Sequence, residues 1–305
     1  MQHIGKVVEQ LRAGGYYDRV MSMGPELDRV KAFLRACAGE RPAVPPNPIQ
    51  HPHYPLFPGL RHETWHDPAR YPAVRMLEEN FATIRAEAEG LQADPYVDYT
   101  AATVMPRSWK RPWTLLAPAP TPKAWAVYLL YHLGVVVEPV TGNCPKTLAI
   151  VNSLPGACLD YTWGDFVFSA MKPGLHLPTH CSIDNIRVRL HLGIVVPDGC
   201  TIRVGAETRT WQVGKCLAFE DSFEHEVYNR SKQRRIVLIV DLWHPDLTPV
   251  EVRAITALFR KSQVRRVFMH ERMSITDSSQ RFLPYIEAQL AAQDREPVIR
   301  EFWPS

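Results

Sequence analysis

IRVRLHLGIVV, residues 186–196, is the stretch that decides the fold. Through Leu192 it alternates strictly: Ile186, Val188, Leu190 and Leu192 fall on one face, and Arg187, Arg189 and His191 on the other. A period of two belongs to a strand with one face against a core. Taken alone, the polar face reads equally well as a wet sheet surface or as cationic groups lining a barrel interior. Outward from it the same grammar repeats. Short β-rich runs occur at Thr147–Val151, Phe166–Met171, Thr201–Val204, Arg209–Val213, Cys216–Phe219, Glu226–Asn229 and Arg235–Trp243. The turn pairs Pro173-Gly174, Asp198-Gly199 and Val213-Gly214 fall between them. Short strands at this spacing predict a mostly β core, a sandwich or jelly-roll barrel.

Helical spacing flanks this core. Val7, Leu11, Leu27, Val30, Phe33 and Leu34 recur at helical intervals, with Gly14-Gly15 between two stretches. A Pro-rich connector covers residues 41–60, and helical periodicity returns at Pro72–Leu91. It returns once more after Thr248, ahead of a polar tail. The expected organisation is a helical N-terminal region (1–104), a β-barrel core (105–248) and a C-terminal helical extension (249–305).

The bulk numbers of the 305 residues, 46% hydrophobic and 22% charged, are those of an ordinary globular chain that needs no disulfides. A net charge of +3 is too small to imply a nucleic-acid or membrane partner. The six cysteines form no CxxC pair. No secretory start is visible, and the apolar run Ala124–Val137 is shorter than the roughly 20 residues of a membrane span. A cytoplasmic protein with reduced thiols is expected.

Two local signals read as bland. His62-Glu63-Thr64-Trp65-His66 is a literal HExxH, but Pro58, Gly59 and Pro68 leave no room for the helix a zinc peptidase needs, so these read as surface-loop residues. The basic run Arg260–Arg266 reads as a solvated helix face. Trp211 and Trp243 read as core, and Cys181 as an inert buried thiol.

The chemistry sits on either side of the alternating strand. Upstream is SAMKPGLHLPTHCSIDN, downstream FEDSFEHEVYNRSKQRRIVLIVDLWHPDLTP. His180 and His225 each stand in a strand-edge context, and paired neutral imidazoles suit Fe(II). Any single histidine by itself reads more readily as structural.

Over roughly residues 105–250 the chain resembles the aspartyl/asparaginyl β-hydroxylases. The segments that carry the resemblance are MKPGLHLPTH, the run from Arg187 through DSFEHEVYN, and RIVLIVDLWHPDLTP, with looser matches at PLFPGL and LEENFATIRAE. The resemblance implies a double-stranded β-helix and dependence on Fe(II), 2-oxoglutarate and O2. By position it makes His180 and His225 the metal ligands. Arg235 becomes the partner of the distal 2-oxoglutarate carboxylate, with adjacent Arg234 the alternative, and Ser169 a hydrogen-bond partner of that carboxylate. Arg189 and His191 fall at the metal-bound end of the cosubstrate. Arg187 points to the same cavity as the candidate for a substrate carboxylate. Ser182 stands where related oxygenases carry a carboxylate ligand. Nearby Asp184 stays open as an outer-sphere partner or an unusual ligand.

The implied reaction hydroxylates an unactivated C–H bond of a small, carboxylate-bearing or peptide substrate, giving succinate and CO2. The alternatives are desaturation, cyclisation or halogenation by the same cofactors, or a non-catalytic 2-oxoglutarate-binding module.

Overall fold

The computed structural model describes residues 2–40, 48–91, 97–98, 125–137, 141–267 and 283–304. Its strands are β1 Trp65–His66, β2 Val97–Asp98, β3 Trp125–His132, β4 Val135–Val136, β5 Phe166–Met171 and β6 His176–His180. They continue as β7 Arg187–Val195, β8 Cys200–Val204, β9 Glu207–Arg209, β10 Cys216–Phe219, β11 His225–Asn229 and β12 Arg235–Trp243. The larger antiparallel sheet has the order β1-β10-β7-β12-β5-β3-β2, with β4 on β3, and the smaller has β6-β11-β8-β9. From β5 onward the chain crosses repeatedly between the two sheets, which is the winding of a double-stranded β-helix.

Register decides which side chains meet. Residues directly opposite in an antiparallel pair share a face. Arg189 stands opposite Asp241, His191 opposite Ile239, Val237 opposite Ser169, and Arg235 opposite Met171. Arg187, Arg189, His191, Ser169 and Arg235 therefore all face one side of the larger sheet. The alternate residues Val188, Leu190, Leu192, Leu238 and Val240 are fully buried on the other side. The barrel reading of the alternating strand holds, and the wet-surface reading does not.

Helices α1 Gln2–Ala13, α2 Tyr16–Ser22, α3 Asp28–Cys37, α4 Pro72–Glu79 and α5 Phe81–Gly90 precede the barrel core. Gly15 makes the break between α1 and α2 in the left-handed region (φ 76°), which costs a glycine little. α4 and α5 pack on the apolar face of β7. Beyond the barrel lie α7 Pro249–Arg260, α8 Leu283–Gln293 and α9 Pro297–Phe302. Thr248 and Glu251 form a capping box at the start of α7. The N-terminal helices dock there: Tyr16 donates to Ala254 O at 2.6 Å and Arg29 Nε to Glu251 at 2.7 Å.

Some expectations need correction. Thr147–Val151 is helical, within α6 Pro145–Asn152. Pro145 supplies a preset φ, and the Glu87 carboxylate on α5 accepts from Lys146 N (3.0 Å), Thr147 N (2.7 Å) and the Thr147 hydroxyl. That cap comes from a distant element and overrides the β-branched composition. The run Arg209–Val213 is strand only through Arg209. The basic run is not a solvated face: Arg260 pairs with Asp160 and Glu296, and fully buried Arg265 with Gln293 and Thr162. The boundary expected near residue 105, and part of the polar tail, lie outside the described residues.

Candidate metal and cosubstrate site

His180 closes β6 and His225 opens β11, and the two are direct partners across the smaller sheet. Their ring centroids lie 4.1 Å apart. Each Nδ1 meets a carbonyl two residues back, Pro178 O at 2.7 Å and Phe223 O at 2.9 Å. A carbonyl only accepts, so each Nδ1 carries the proton and each Nε2 keeps its lone pair. Burial pushes both imidazoles below their ordinary pKa, and for His225 the neighbouring His180 adds to it. Two neutral rings 4.1 Å apart, each with its tautomer fixed and its Nε2 lone pair unprotonated, could together offer two nitrogen donors to a divalent transition metal.

The carboxylates around them are unequally engaged. Ser182 accepts from Arg187 Nη2 at 2.6 Å. Asp184 accepts from the Tyr161 hydroxyl (2.7 Å), Ile186 N and Arg187 Nε, which leaves it tied to that guanidinium. Asp221, 1% exposed, has no directed hydrogen bond to either oxygen from the described residues, although Arg189 Nη1 lies 3.0 Å away. Asp221 was missed in the sequence, where DSFEHE shows three acids and nothing to rank them.

Arg187 does not suit the role expected of it. It is 1% exposed, and Asp184, Asp221 and Asp241 surround its guanidinium at 3.2, 3.8 and 2.5 Å. A cation already neutralised by three carboxylates is not available to a substrate carboxylate. Arg189 is likewise bonded to Asp241 and Asp165, but part of it remains accessible.

Arg235 is the opposite case. It is 2% exposed, Nε and Nη1 have no hydrogen-bond partner among the described residues, and burial lowers its pKa to about 10. Arg234 is exposed, so register selects Arg235 for the interior. His191 is buried with both ring nitrogens unpartnered, and burial, then the charges of Arg189 and Arg235, hold it neutral. Ser169 Oγ, 2% exposed, accepts from Trp125 Nε1 at 3.1 Å. The structure thus brings Ser169, His191 and Arg235 onto the inner face of the larger sheet, the side on which Phe219 packs beside the His225 ring.

A second group lies behind that sheet. His66 pairs with Ala218, on the apolar face. His66, Glu220 and His244 are buried, with candidate ligand atoms within 4.8 Å of one another. His66 was expected on a surface loop; instead strand pairing buries it. The tautomers argue against a metal here. Asp246 N donates to His244 Nδ1 at 3.2 Å, so the ring proton sits on Nε2 and occupies the nitrogen a metal would need. His66 Nε2 donates to Glu220 at 3.2 Å while Tyr71 donates to its Nδ1 at 2.7 Å. Gln50, Ser222 and Glu63 N also donate to Glu220. The group is a hydrogen-bonded latch that holds residues 50–71 against the turn leading to Asp221 and His225.

The family described as Aspartyl/Asparaginyl beta-hydroxylase matches residues 78–245, more than half of the chain. The aspartyl/asparaginyl beta-hydroxylase of Mus musculus is 41% identical over 135 residues, 44% of this chain and 18% of that protein. The aspartate beta-hydroxylase domain-containing protein 2 of Homo sapiens is 34% identical over 190 residues, 61% of this chain and 48% of that protein. Its Rattus norvegicus counterpart is 29% identical over 84% of this chain and 65% of that protein. The chain therefore spans less than two thirds of the length of each of these relatives. Among solved structures, a cupin domain of a transcriptional regulator from Enterobacter cloacae aligns at TM-score 0.24 and 12% identity, covering 27% of this chain and 82% of that one.

Proposed function

Since the chain belongs to the aspartyl/asparaginyl β-hydroxylase family, we propose that it is a hydroxylase dependent on Fe(II), 2-oxoglutarate and O2, with His180 and His225 as its protein ligands to iron. One observation carries the reading: two neutral imidazoles 4.1 Å apart, each with Nε2 unprotonated, share a barrel interior with a buried guanidinium, Arg235, that no carboxylate among the described residues pairs. A buried unpaired cation is costly. A dicarboxylate reaching from the metal to Arg235 removes that cost and fills the orphaned donors of the site.

The residues present fit such a group. Arg235 and Ser169 would hold its distal carboxylate, and His191 with the accessible edge of Arg189 would hold the end nearer the metal. Bound iron supplies the oxidative step, which converts 2-oxoglutarate and O2 to succinate and CO2 and places hydroxyl on an unactivated C–H bond. The protein supplies orientation and charge. The carbonyls of Pro178 and Phe223 fix the two imidazoles. Asp165, Asp184, Asp221 and Asp241 outnumber Arg187 and Arg189, an excess of negative charge that favours a divalent cation although no carboxylate stands at position 182. With a metal bound, Asp221 would be free to accept a hydrogen bond from water beside His180.

The substrate we infer is a small carboxylate-bearing molecule or a peptide, and the relatives' names direct the first trials to aspartyl and asparaginyl side chains. All six cysteines are buried and unpaired, in keeping with a reducing cytoplasm. No described helix is long and apolar enough to cross a membrane.

The test is anaerobic Fe(II) with 2-oxoglutarate, watched for the visible charge-transfer band of a chelated keto acid. The expected result is a band in the wild type, loss of it in His180→Ala and His225→Ala, and a strongly weakened one in Arg235→Ala, with His62→Ala unchanged. No band in a folded wild-type protein overturns the assignment. Peptides bearing Asp or Asn are then assayed for a mass gain of one oxygen coupled to succinate.

A further inference from the structure

Trp211 lies on no described strand and is 4% exposed. Its indole lies beside both Arg235 and His191 on the inner face of the larger sheet. The Arg235 guanidinium lies over the ring, 5.0 Å from its centroid. His191 stacks nearly parallel, at 15° with centroids 6.0 Å apart. The indole nitrogen is buried and has no hydrogen-bond partner among the described residues, like Arg235 Nε and Nη1 and both nitrogens of His191. Indole and guanidinium only donate, so what is missing between them is an acceptor, and the charge on Arg235 makes it an anionic one.

The chain takes trouble to place this ring. Gly193 on β7 donates through its N–H to Lys215 O at 3.1 Å, and its carbonyl accepts from Gly214 N at 2.9 Å. A Cβ at Gly193 would stand 2.4 Å from Gln212 O. Only glycine lets the 211–215 segment lie this close to β7, and that approach brings Trp211 against His191 and Arg235.

We propose that Trp211 is a cosubstrate-binding residue: its ring braces Arg235 and His191, and its indole N–H donates to the carboxylate of the keto acid that Arg235 pairs. This rests on the function proposed above. Cation–π contact leaves the guanidinium edge free for bidentate pairing, so ring and N–H act on the same anion.

The experiment measures 2-oxoglutarate affinity by calorimetry on protein loaded with Mn(II) in place of iron. Wild type, Arg235→Ala, Trp211→Phe (ring kept, N–H lost) and Trp211→Leu (both lost) are compared. Trp211→Phe is expected to bind roughly tenfold or more weakly at an unchanged melting temperature, as for loss of one hydrogen bond to a charged group. Trp211→Leu is expected to bind more weakly still. A wild type that binds while Trp211→Phe binds equally well overturns this proposal and leaves the wider reading intact. A wild type that does not bind 2-oxoglutarate overturns both. A check independent of variant folding uses wild-type protein loaded with Zn(II): one indole N–H resonance is expected to shift when 2-oxoglutarate is added. If no indole resonance moves, Trp211 donates nothing and the proposal fails.

Discussion

Arg187 and Arg235 are the same residue type on the same sheet face, yet their surroundings give them opposite parts. Three carboxylates outweigh the burial of Arg187 and hold its charge. Arg187→Ala is therefore expected to cost about 3–5 kcal/mol in urea unfolding, because it strands buried carboxylates. Arg235 lies over the Trp211 ring and pairs with no carboxylate among the described residues. In metal-free protein Arg235→Ala is expected to be close to neutral or stabilising in the same measurement, while it abolishes 2-oxoglutarate binding. Glu220 carries a pH dependence. Burial pushes its pKa up, but the His244 imidazole 3.7 Å away and donation from His66 and Glu63 N outweigh this, and the folded value lies below the ordinary one. A depressed carboxylate contributes stability that is present above its unfolded pKa, about 4.3, and lost as pH falls through the folded value. Glu220→Gln is expected to flatten stability against pH below about 5, as read by melts at stepped pH. An unchanged acid limb would remove Glu220 from the latch.

At the level of elements, composition and context competed, and context won in identifiable places. TLAIV at 147–151 has the composition of a strand, yet the Glu87 carboxylate caps it as α6. Glu87→Ala is expected to cost about 1–2 kcal/mol, the usual price of a lost N-cap, visible as a lower melting temperature. β3 escaped the strand reading because seven of its eight residues are buried, which leaves no alternation to see. β6 is short and interrupted by Pro178, whose carbonyl nevertheless fixes the tautomer of His180. The contact of β7 with residues 211–215 depends on Gly193. Gly193→Ala is expected to lose about 1–3 kcal/mol by overpacking. It should also weaken 2-oxoglutarate binding while leaving metal affinity near wild type.

Across the whole molecule, one hydrophobic core runs from Val7 and Leu11 through the barrel to Leu258 and Phe302. The helices at the two ends of the chain share it through Tyr16, which packs on Trp303 and donates to Ala254 O. The protein is accordingly expected to unfold in one transition, with near- and far-ultraviolet circular dichroism superimposed. Two separated transitions would show that the helical ends fold apart from the barrel. Removing residues 1–40 uncovers the α7 face that carries Ala254 and Leu258 and breaks the Arg29–Glu251 pair. The shortened chain is expected to lose the cooperative melt.

The sequence by itself determined a mostly β core, through the two-residue period of β7 and the turns around it, and it singled out the two histidines, through the motifs that flank them. Both are local patterns, and local patterns survive in one dimension. Whether a charged residue is spent or available is decided by what lies across the sheet. Arg187, Arg189 and Arg235 look alike along the chain, and only the register of β7 and β12 sets Asp241 beside the first two, enclosing Arg187 while an edge of Arg189 stays accessible, and leaves the third with no carboxylate among the described residues. His66 likewise became a buried latch when β1 paired with β10. Charge compensation is a property of neighbours in space, and those neighbours are supplied by the tertiary structure.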